Sequence, residues 1–171
     1  GGSRGGNGGG SIWLNITDHI MLDGELQADG EDAPYSRSGG GSGGSVWLHC
    51  DTLSGFGNIT ARGGNGGLDL DYAGGGGSGG RVALYFRNNR TASDFSFVTH
   101  GGIGYENGAA GTAFVWHLEH DHTALLLDNH DRPPLGRRNH LHRTVSAVKY
   151  EDPAGRVWDY NDNDLRHAGG R

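Results

Sequence analysis

The stretch GGGSGGSVWL at residues 39–48 decides the fold, because it leads a glycine run directly into a segment of alternating apolar residues. Segments of the same kind follow glycine-rich runs at residues 11–14, 81–84 and 112–115. From one start to the next, the spacings are 34, 36 and 31 residues. Each segment alternates with a period of two, which predicts a β-strand. Recurrence at this spacing predicts stacked units rather than a single globule.

A second predicted strand follows in each unit. Residues 25–30 match residues 58–63, residues 97–102 are aligned with them from Phe97 onward, and residues 125–128 supply the fourth copy. Strands that return in the same order favour parallel pairing. We therefore expect an all-β fold, a glycine-rich parallel β-helix or β-solenoid with coils of about 34 residues. A β-sandwich is the alternative.

The glycines are expected to serve tight turns through positive φ and to permit close approach of the backbone. Without side chains to keep them apart, the glycine segments are also able to pack side by side as extended, polyproline II-like chains. A disordered linker is the alternative interpretation of any single run. The recurrence of the runs at fixed offsets from the strands favours an ordered role.

Alternation assigns two faces to the strands. The predicted inward residues of the first strands are Ile12, Leu14, Ile16, Val46, Leu48, Cys50, Val82, Leu84 and Phe86. In the second strands, Leu26 and Ile59 are predicted to face inward. Trp13 and Trp47 lie on the outward face, one coil apart, and predict a small aromatic ladder that offers a contact face.

Residues 1–130 are predicted to form the glycine-rich repeats. Their units lie near residues 5–38, 39–73, 74–107 and 108–130. The last third differs, with strands predicted at 144–150 and 156–160 around a turn. Residues 131–171 are therefore expected to be a small irregular β element, a cap or docking hairpin, since terminal units of solenoids are commonly atypical. Both ends of the chain look like interior sequence, so we expect a piece of a larger protein.

Composition excludes several function classes. Glycine makes up 35 of the 171 residues and apolar residues only 33%, which disfavours a compact globular core. The net charge of −6, with Lys149 as the single lysine, disfavours a nucleic-acid partner. No apolar stretch reaches the ~18 residues of a membrane span. The single cysteine, Cys50, excludes a disulfide framework and is expected to be a buried thiol, with an intermolecular link as the alternative.

Three sequons, at Asn15, Asn58 and Asn89, fit the N-x-Ser/Thr rule for N-glycosylation. The alternation places Asn15 and Asn58 on the outward face, whereas Asn89 follows a strand in a predicted loop. Both situations favour attached N-glycans over chance matches when the source is a eukaryote.

No cofactor is expected beyond such glycans. The run through Asp159, Asn161 and Asn163 begins like a calcium loop but lacks the glycine and glutamate that the full pattern needs. It is interpreted as a polar turn, with weakly bound Ca²⁺ as the alternative. Six histidines are interpreted as surface residues at a hairpin or beyond it, because their spacing matches no known zinc site. They are His117, His120, His122, His130, His140 and His142.

Several of these segments together resemble a glycine-rich repeat of very large secreted or surface proteins of protists, algae, invertebrates and bacteria. The segments are residues 39–48, 53–67, 74–83, 108–112 and 126–129. The resemblance spans roughly residues 5–130 and leaves residues 131–171 uncovered. It implies an extracellular, β-rich structural role and no catalytic residues.

We therefore expect a non-enzymatic structural subunit of a secreted, extracellular glycoprotein fibre, filament or surface coat. Its partners are copies or repeats of the same chain, joined through the ends or flanks of the solenoid, together with extracellular glycans. Two alternatives stay open. A carbohydrate-binding or adhesive module uses Trp13 and Trp47 as a sugar platform. A polysaccharide-degrading enzyme uses Asp69 and Asp71 as paired carboxylates.

Overall fold

The computed structural model describes residues 4–68, 73–89, 95–127 and 129–130. In this part of the chain the regular structure is all β, which confirms the predicted class, and no helix suited to crossing a membrane occurs there. The predicted C-terminal element, at 131–171, lies outside the described residues. The strands are β1 (Ser11–Asn15), β2 (His19–Met21), β3 (Glu25–Gln27), β4 (Ser45–Ser54), β5 (Asn58–Thr60), β6 (Arg81–Asn89), β7 (Ser96–Val98), β8 (Thr112–His117) and β9 (His122–Leu126).

The larger sheet contains β1, β4, β6 and β8 side by side, and β2 pairs with the second half of β4. These pairings are parallel, whereas β9 joins β8 in an antiparallel pair. The register places Ser45 opposite both Ser11 and Arg81, and places Arg81 opposite Thr112. These are the four starts that the sequence aligns, so the repeat register and its parallel pairing are confirmed.

The smaller sheet contains β3, β5 and β7, which are also parallel. Glu25 lies opposite Asn58, as the sequence predicts. The alignment that starts the third copy at Phe97 is wrong by one residue, because Ser96 lies opposite Asn58. The shift brings Phe97 opposite Ile59, where its ring packs against the apolar core.

The fourth copy of the second strand, predicted at 125–128, is wrong for the residues that the structure describes. Leu125 and Leu126 belong to β9, which pairs with β8 in the larger sheet. The chain reverses in the turn at 118–121, where Asp121 has a φ of 50°. Aspartate tolerates this left-handed conformation, so a short turn returns the chain to the strand it has just left.

One apolar core is shared by the two sheets. Its fully buried members are Ala28, Val46, Leu48, Cys50, Leu53, Ile59, Ala61, Val82, Leu84, Phe86 and Ala113. The inward face predicted for β4 and β6 is therefore confirmed. Ile12 and Leu14 pack against the same core but are only partly buried, because β1 lies at the edge of the sheet. Ile16 is 39% exposed, since it follows the last residue of that edge strand.

Cys50 is the buried thiol that the sequence predicts, and it is 1% exposed in the inward row of β4. Burial, with a smaller contribution from the Asp51 carboxylate, raises the pKa of the Cys50 thiol to about 11. A protonated, inaccessible thiol is a poor nucleophile. The alternative of an intermolecular link through Cys50 is therefore disfavoured in the folded protein.

Glycine-rich segments outside the strands stack in two layers, which together we call the glycine bundle. The first layer comprises residues 4–10, 39–44, 74–80 and 106–111, and the second comprises residues 28–33, 61–67 and 99–104. The Gly6 N–H donates within its layer to Gly39 O at 2.9 Å, and the Gly64 N–H donates across layers to Gly41 O at 2.8 Å. Lateral bonding in several directions is typical of packed polyproline II-type chains.

Close approach of neighbouring backbones makes glycine necessary in the bundle. A Cβ on Gly41 would lie 1.9 Å from the carbonyl oxygen of Asn7, and one on Gly77 would lie 1.9 Å from that of Gly41. In segments 39–44 and 74–80, two of every three positions have no room for a Cβ atom. Ser42 and Ser78 occupy the third position, where a side chain fits. A period of three matches the three residues per turn of a polyproline II helix.

The predicted role of these glycines in turns with positive φ is wrong for the bundle. Among the described glycines, Gly55 is the one in the left-handed region, with a φ of 106°, and it lies between β4 and β5. The other predicted role, close approach of the backbone, is confirmed.

The first unit differs from the inner units on one side of the glycine bundle. Gly41 and Gly64 direct their missing Cβ atoms toward the preceding unit, at the carbonyl oxygens of Asn7 and Glu31. The first unit carries Asn7 and Glu31 themselves at the equivalent positions. Asn7 Nδ2 donates a hydrogen bond to Glu31 Oε2 at 2.7 Å. At these two positions the first unit therefore carries side chains where the inner units have no room for a Cβ.

Carboxylates also join successive units by accepting backbone hydrogen bonds. Asp29 Oδ1 accepts from the Arg62 N–H at 2.8 Å, and Asp32 Oδ1 accepts from the Asn65 N–H at 2.7 Å. The Arg62 Nε also lies 2.7 Å from Asp29 Oδ2. Burial raises the pKa of Asp29, but hydrogen bonds from Gln27 and the Arg62 N–H, together with the Arg62 charge, lower it below its ordinary value.

We predict that Gly77→Ala destabilises the fold by about 3 kcal/mol or more, because the new methyl group meets the backbone oxygen of Gly41. Gly75→Ala is the matched control in the same segment, since its Cβ would lie 3.7 Å from the nearest atom. Its unfolding free energy should stay within about 0.5 kcal/mol of the wild type. Urea denaturation measures both, and equal losses would contradict a requirement set by backbone spacing.

We predict that Asp29→Asn lowers the unfolding free energy by about 1 kcal/mol at neutral pH, because hydrogen bonds to a charged acceptor are lost. The folded pKa of Asp29 is depressed, so its contribution is complete above the unfolded value of 3.8. That contribution disappears as the pH falls through the lower folded pKa. The difference between the two proteins should therefore shrink on acidification. A difference independent of pH in denaturation experiments would assign the loss to packing.

Candidate functional site

An aromatic ladder covers the outward face of the larger sheet. In-register parallel strands place equivalent side chains about 4.8 Å apart. Trp13 lies opposite Trp47, and their ring centroids are 5.2 Å apart with the ring planes at 14°. The ladder that the sequence predicts from these two residues is therefore present. Trp13 is 65% exposed, whereas Trp47 is partly covered by its neighbours.

Tyr85 extends the ladder across a gap. Ala83 lies opposite Trp47 in the next strand, so the column of large rings is interrupted there. The Tyr85 ring, two residues further on, contacts Trp47 and Phe114, with both centroid distances 5.7 Å. It also lies 6.1 Å from the ring of Trp116. The aromatic surface therefore runs from β1 to β8 without a break.

The stacking decides what this surface presents to a partner. Trp13 and Trp47 cover one another's ring faces, and Trp47 is further flanked by His49 at 5.9 Å and by Tyr85. The surface thus offers mainly ring edges, together with the outer face of Trp13. Ring edges suit apolar contact with another protein surface, whereas a sugar ring stacks on an open aromatic face.

The sequons lie on both sheets. Asn15 is exposed at the end of β1, and its Oδ1 lies 3.0 Å from Nδ1 of His49. Asn58 is exposed on β5, where its Oδ1 accepts a hydrogen bond from the Ser96 hydroxyl. In both cases the contact uses Oδ1, not the Nδ2 atom that carries an N-glycan. Asn89 is the last residue of β6, and the threonine of its sequon lies outside the described residues.

The placement of Asn15 has a consequence for the ladder. Asn15 and Trp13 are two residues apart on β1, so they share the outward face of the same sheet. A glycan on Asn15 therefore lies beside the exposed end of the ladder. Asn58 belongs to the smaller sheet, so a glycan there leaves the ladder open.

Several sequence candidates lie outside the described residues. These are the weak calcium candidates Asp159, Asn161 and Asn163, and the paired carboxylates Asp69 and Asp71. The structure brings together three possible metal ligands that the spacing of the histidines in the sequence did not predict. His117, Glu119 and His120 each offer a ligand atom, and these atoms lie within 4.8 Å of one another at the turn between β8 and β9. The sequence analysis did not predict the tight turn after β8, which brings these three residues together.

The chain matches no family model, no curated protein and no solved structure. No activity is therefore carried over to it from a characterised relative. Its function is inferred from the contacts of the described residues.

We predict that secretion through a eukaryotic pathway attaches glycans at Asn15 and Asn58. Asn15→Gln and Asn58→Gln should each remove the mass of one glycan, because both asparagines are exposed. Intact-protein mass spectrometry before and after enzymatic deglycosylation measures this. Asn89→Gln provides the comparison for the third sequon. An unglycosylated secreted protein would contradict the prediction for both sites.

Proposed function

We propose that this chain is a structural unit of an extracellular glycoprotein fibre or surface coat, and that copies associate side by side through the aromatic ladder. The observation that carries the proposal is the aromatic ladder, which begins at the exposed Trp13 and continues through partly buried rings across a regular parallel sheet. Trp13 is 65% exposed, and the rings that continue the ladder from it make contiguous apolar surface, which favours a protein contact. Secretion and attached glycans are part of the same proposal, with association through the ladder limited to copies whose Asn15 carries no glycan.

A β-solenoid is the architecture that we propose for the repeats. In support, equivalent strands of successive units pair in parallel and in register in both sheets. Glycine segments repeat between those strands in the same order, and one core is common to all of them. The β-sandwich alternative is less well supported, because sandwiches are built from antiparallel sheets.

A structural role is favoured over catalysis by how the acidic side chains are used. A cleft of about 740 Å³ runs along the glycine bundle. Its Asp29 pairs with Arg62 and its Glu31 accepts hydrogen bonds from Asn7. Carboxylates already engaged in ion pairs and hydrogen bonds within the chain are poorly placed for general acid–base work on a substrate.

The flank of the proposed solenoid is favoured over its first end as the site of association. At that end, Asn7 and Glu31 stand where an added unit would need glycine. The aromatic flank has no such obstacle when Asn15 carries no glycan. Aromatic anchors with large contact area are also the residues that dominate binding energy at protein interfaces.

Carbohydrate binding is the second candidate, and one observation favours it. Trp13 ends the ladder, so one face of its indole ring has no stacking partner among the aromatic contacts of the ladder. A single sugar ring fits such a face. The extent of aromatic surface beyond Trp13 makes protein association the better-supported function.

Self-association of the unglycosylated chain tests the proposal. Sedimentation velocity over a range of concentrations should show reversible oligomers, and Trp13→Ala should weaken association by about tenfold or more, because the most exposed aromatic anchor of the ladder is lost. Phe56→Ala is the matched control, since this ring is 71% exposed but lies on the loop between β4 and β5. Its association should equal that of the wild type.

Two outcomes would contradict lateral association. One is a monomer at every concentration, and the other is an equal effect of Trp13→Ala and Phe56→Ala. A monomer that binds glycans on an array, and loses that binding in Trp13→Ala, would support the carbohydrate-binding function instead. Electron microscopy of the native material then shows whether polymers form.

A further inference from the structure

The turn that joins β8 to β9 holds a polar cluster at the end of an apolar row. The register aligns Cys50 with Phe86 and Phe86 with His117, so His117 continues the inward row that is apolar in the two preceding units. Its imidazole stacks on the Phe86 ring at 5.0 Å, with the planes at 28°. This contact fixes the ring plane and directs the imidazole toward the turn that follows.

Two further ligand groups meet His117 at this turn. The His120 ring lies edge-on to the His117 ring, with centroids 4.4 Å apart. Together with Glu119, these residues offer two imidazole nitrogens and one carboxylate oxygen within 4.8 Å of one another. His117 is partly buried, whereas Glu119 and His120 are exposed. The first residue therefore has a fixed orientation, and the other two have room to adjust.

The surroundings of the cluster favour a cation. A cleft of about 510 Å³ is lined by the three ligands and by Asp18, Asp51 and other polar residues of neighbouring units. Asp51 accepts hydrogen bonds from Arg87 Nε at 3.1 Å and from Asn88 Nδ2 at 3.2 Å. These bonds hold its carboxylate in place beside the cleft. The Arg87 guanidinium offsets part of the Asp51 charge, and Asp18 adds a second carboxylate at the wall, where negative groups raise the local concentration of cations.

We propose that His117, Glu119 and His120 bind one divalent transition-metal ion, for which zinc is the representative. Two imidazoles and a carboxylate suit zinc, which takes nitrogen and oxygen ligands at about 2.0–2.2 Å and keeps water in an open fourth position. Calcium and magnesium are poor candidates, because they prefer sets of oxygen ligands. Small rotations of the exposed Glu119 and His120 side chains bring the ligand atoms to bonding distance.

The ion fastens the hairpin that ends the larger sheet. All three ligands come from the end of β8 and the turn that follows, and β9 is the last strand of that sheet in the described part of the chain. An ion that binds the folded turn and not the unfolded chain stabilises the fold by mass action. Metal binding therefore has a readout in thermal stability that is independent of the proposed self-association.

Titration of the metal-free chain with zinc chloride tests the proposal. Calorimetry should show one ion per chain, and zinc should raise the melting temperature. Cobalt(II) in place of zinc should give the intense visible absorption of a four-coordinate site. His120→Ala and Glu119→Gln should each weaken zinc binding by about tenfold or more, because each removes a ligand. Both residues are exposed, so neither variant should unfold the protein.

His130→Gln is the matched control, because this exposed histidine lies beyond Leu126, the end of β9 that is remote from the turn at 118–121. Its zinc affinity should equal that of the wild type. The site is overturned if the wild type takes up no zinc. It is equally overturned if zinc binding persists unchanged in both His120→Ala and Glu119→Gln, since the ion then resides on other histidines of the chain.

Discussion

The structure depends on one constraint, the contact distance between glycine backbones. The missing Cβ of an inner glycine leaves the space that the carbonyl oxygen of a neighbouring segment occupies, at about 2 Å from where that atom would be. Segments this close exchange hydrogen bonds in several directions, so each unit is held to the next by its backbone. The same spacing keeps the strands of both sheets in register. A thin apolar core then suffices, which explains how a chain with 33% apolar residues folds.

Much of this fold is predictable from the sequence, because the strand starts repeat with their flanking glycines. The inward row through Val46 and Val82 and the pairing of Trp13 with Trp47 follow from alternation alone. Side-by-side packing of the glycine segments was expected, but its period of three, which Ser42 and Ser78 mark, was not. A search for turns looks for positive φ, whereas here the requirement comes from a neighbouring segment that is distant in sequence. A short stretch of sequence therefore does not reveal which glycines are required.

In the candidate sites, too, some features follow from the local sequence and others only from the tertiary structure. Outward positions for Trp13 and Asn15 follow from local alternation. The bridging role of Tyr85 does not, because it depends on Ala83 lying between two larger residues of adjacent strands. The grouping of Glu119 with His117 and His120 depends on the chain reversal after β8. The sequence predicted a further copy of the repeat there instead. Sites built across units, or within an irregular turn, need the tertiary arrangement before they become visible.

The side chains of Asn7 and Glu31 set a rule for how such a chain is lengthened. An inner unit carries glycine on both of its contact sides, so a duplicate of it placed between two others meets compatible neighbours above and below. A duplicate of the first unit placed in the interior brings asparagine and glutamate into positions that have no room for a side chain. The number of units is therefore free to change by copying from the middle, whereas a copy of the first unit does not fit in the interior. A designed array of adjustable length would keep residues 4–37 once and multiply residues 38–73, which preserves the step from Ser45 to Arg81.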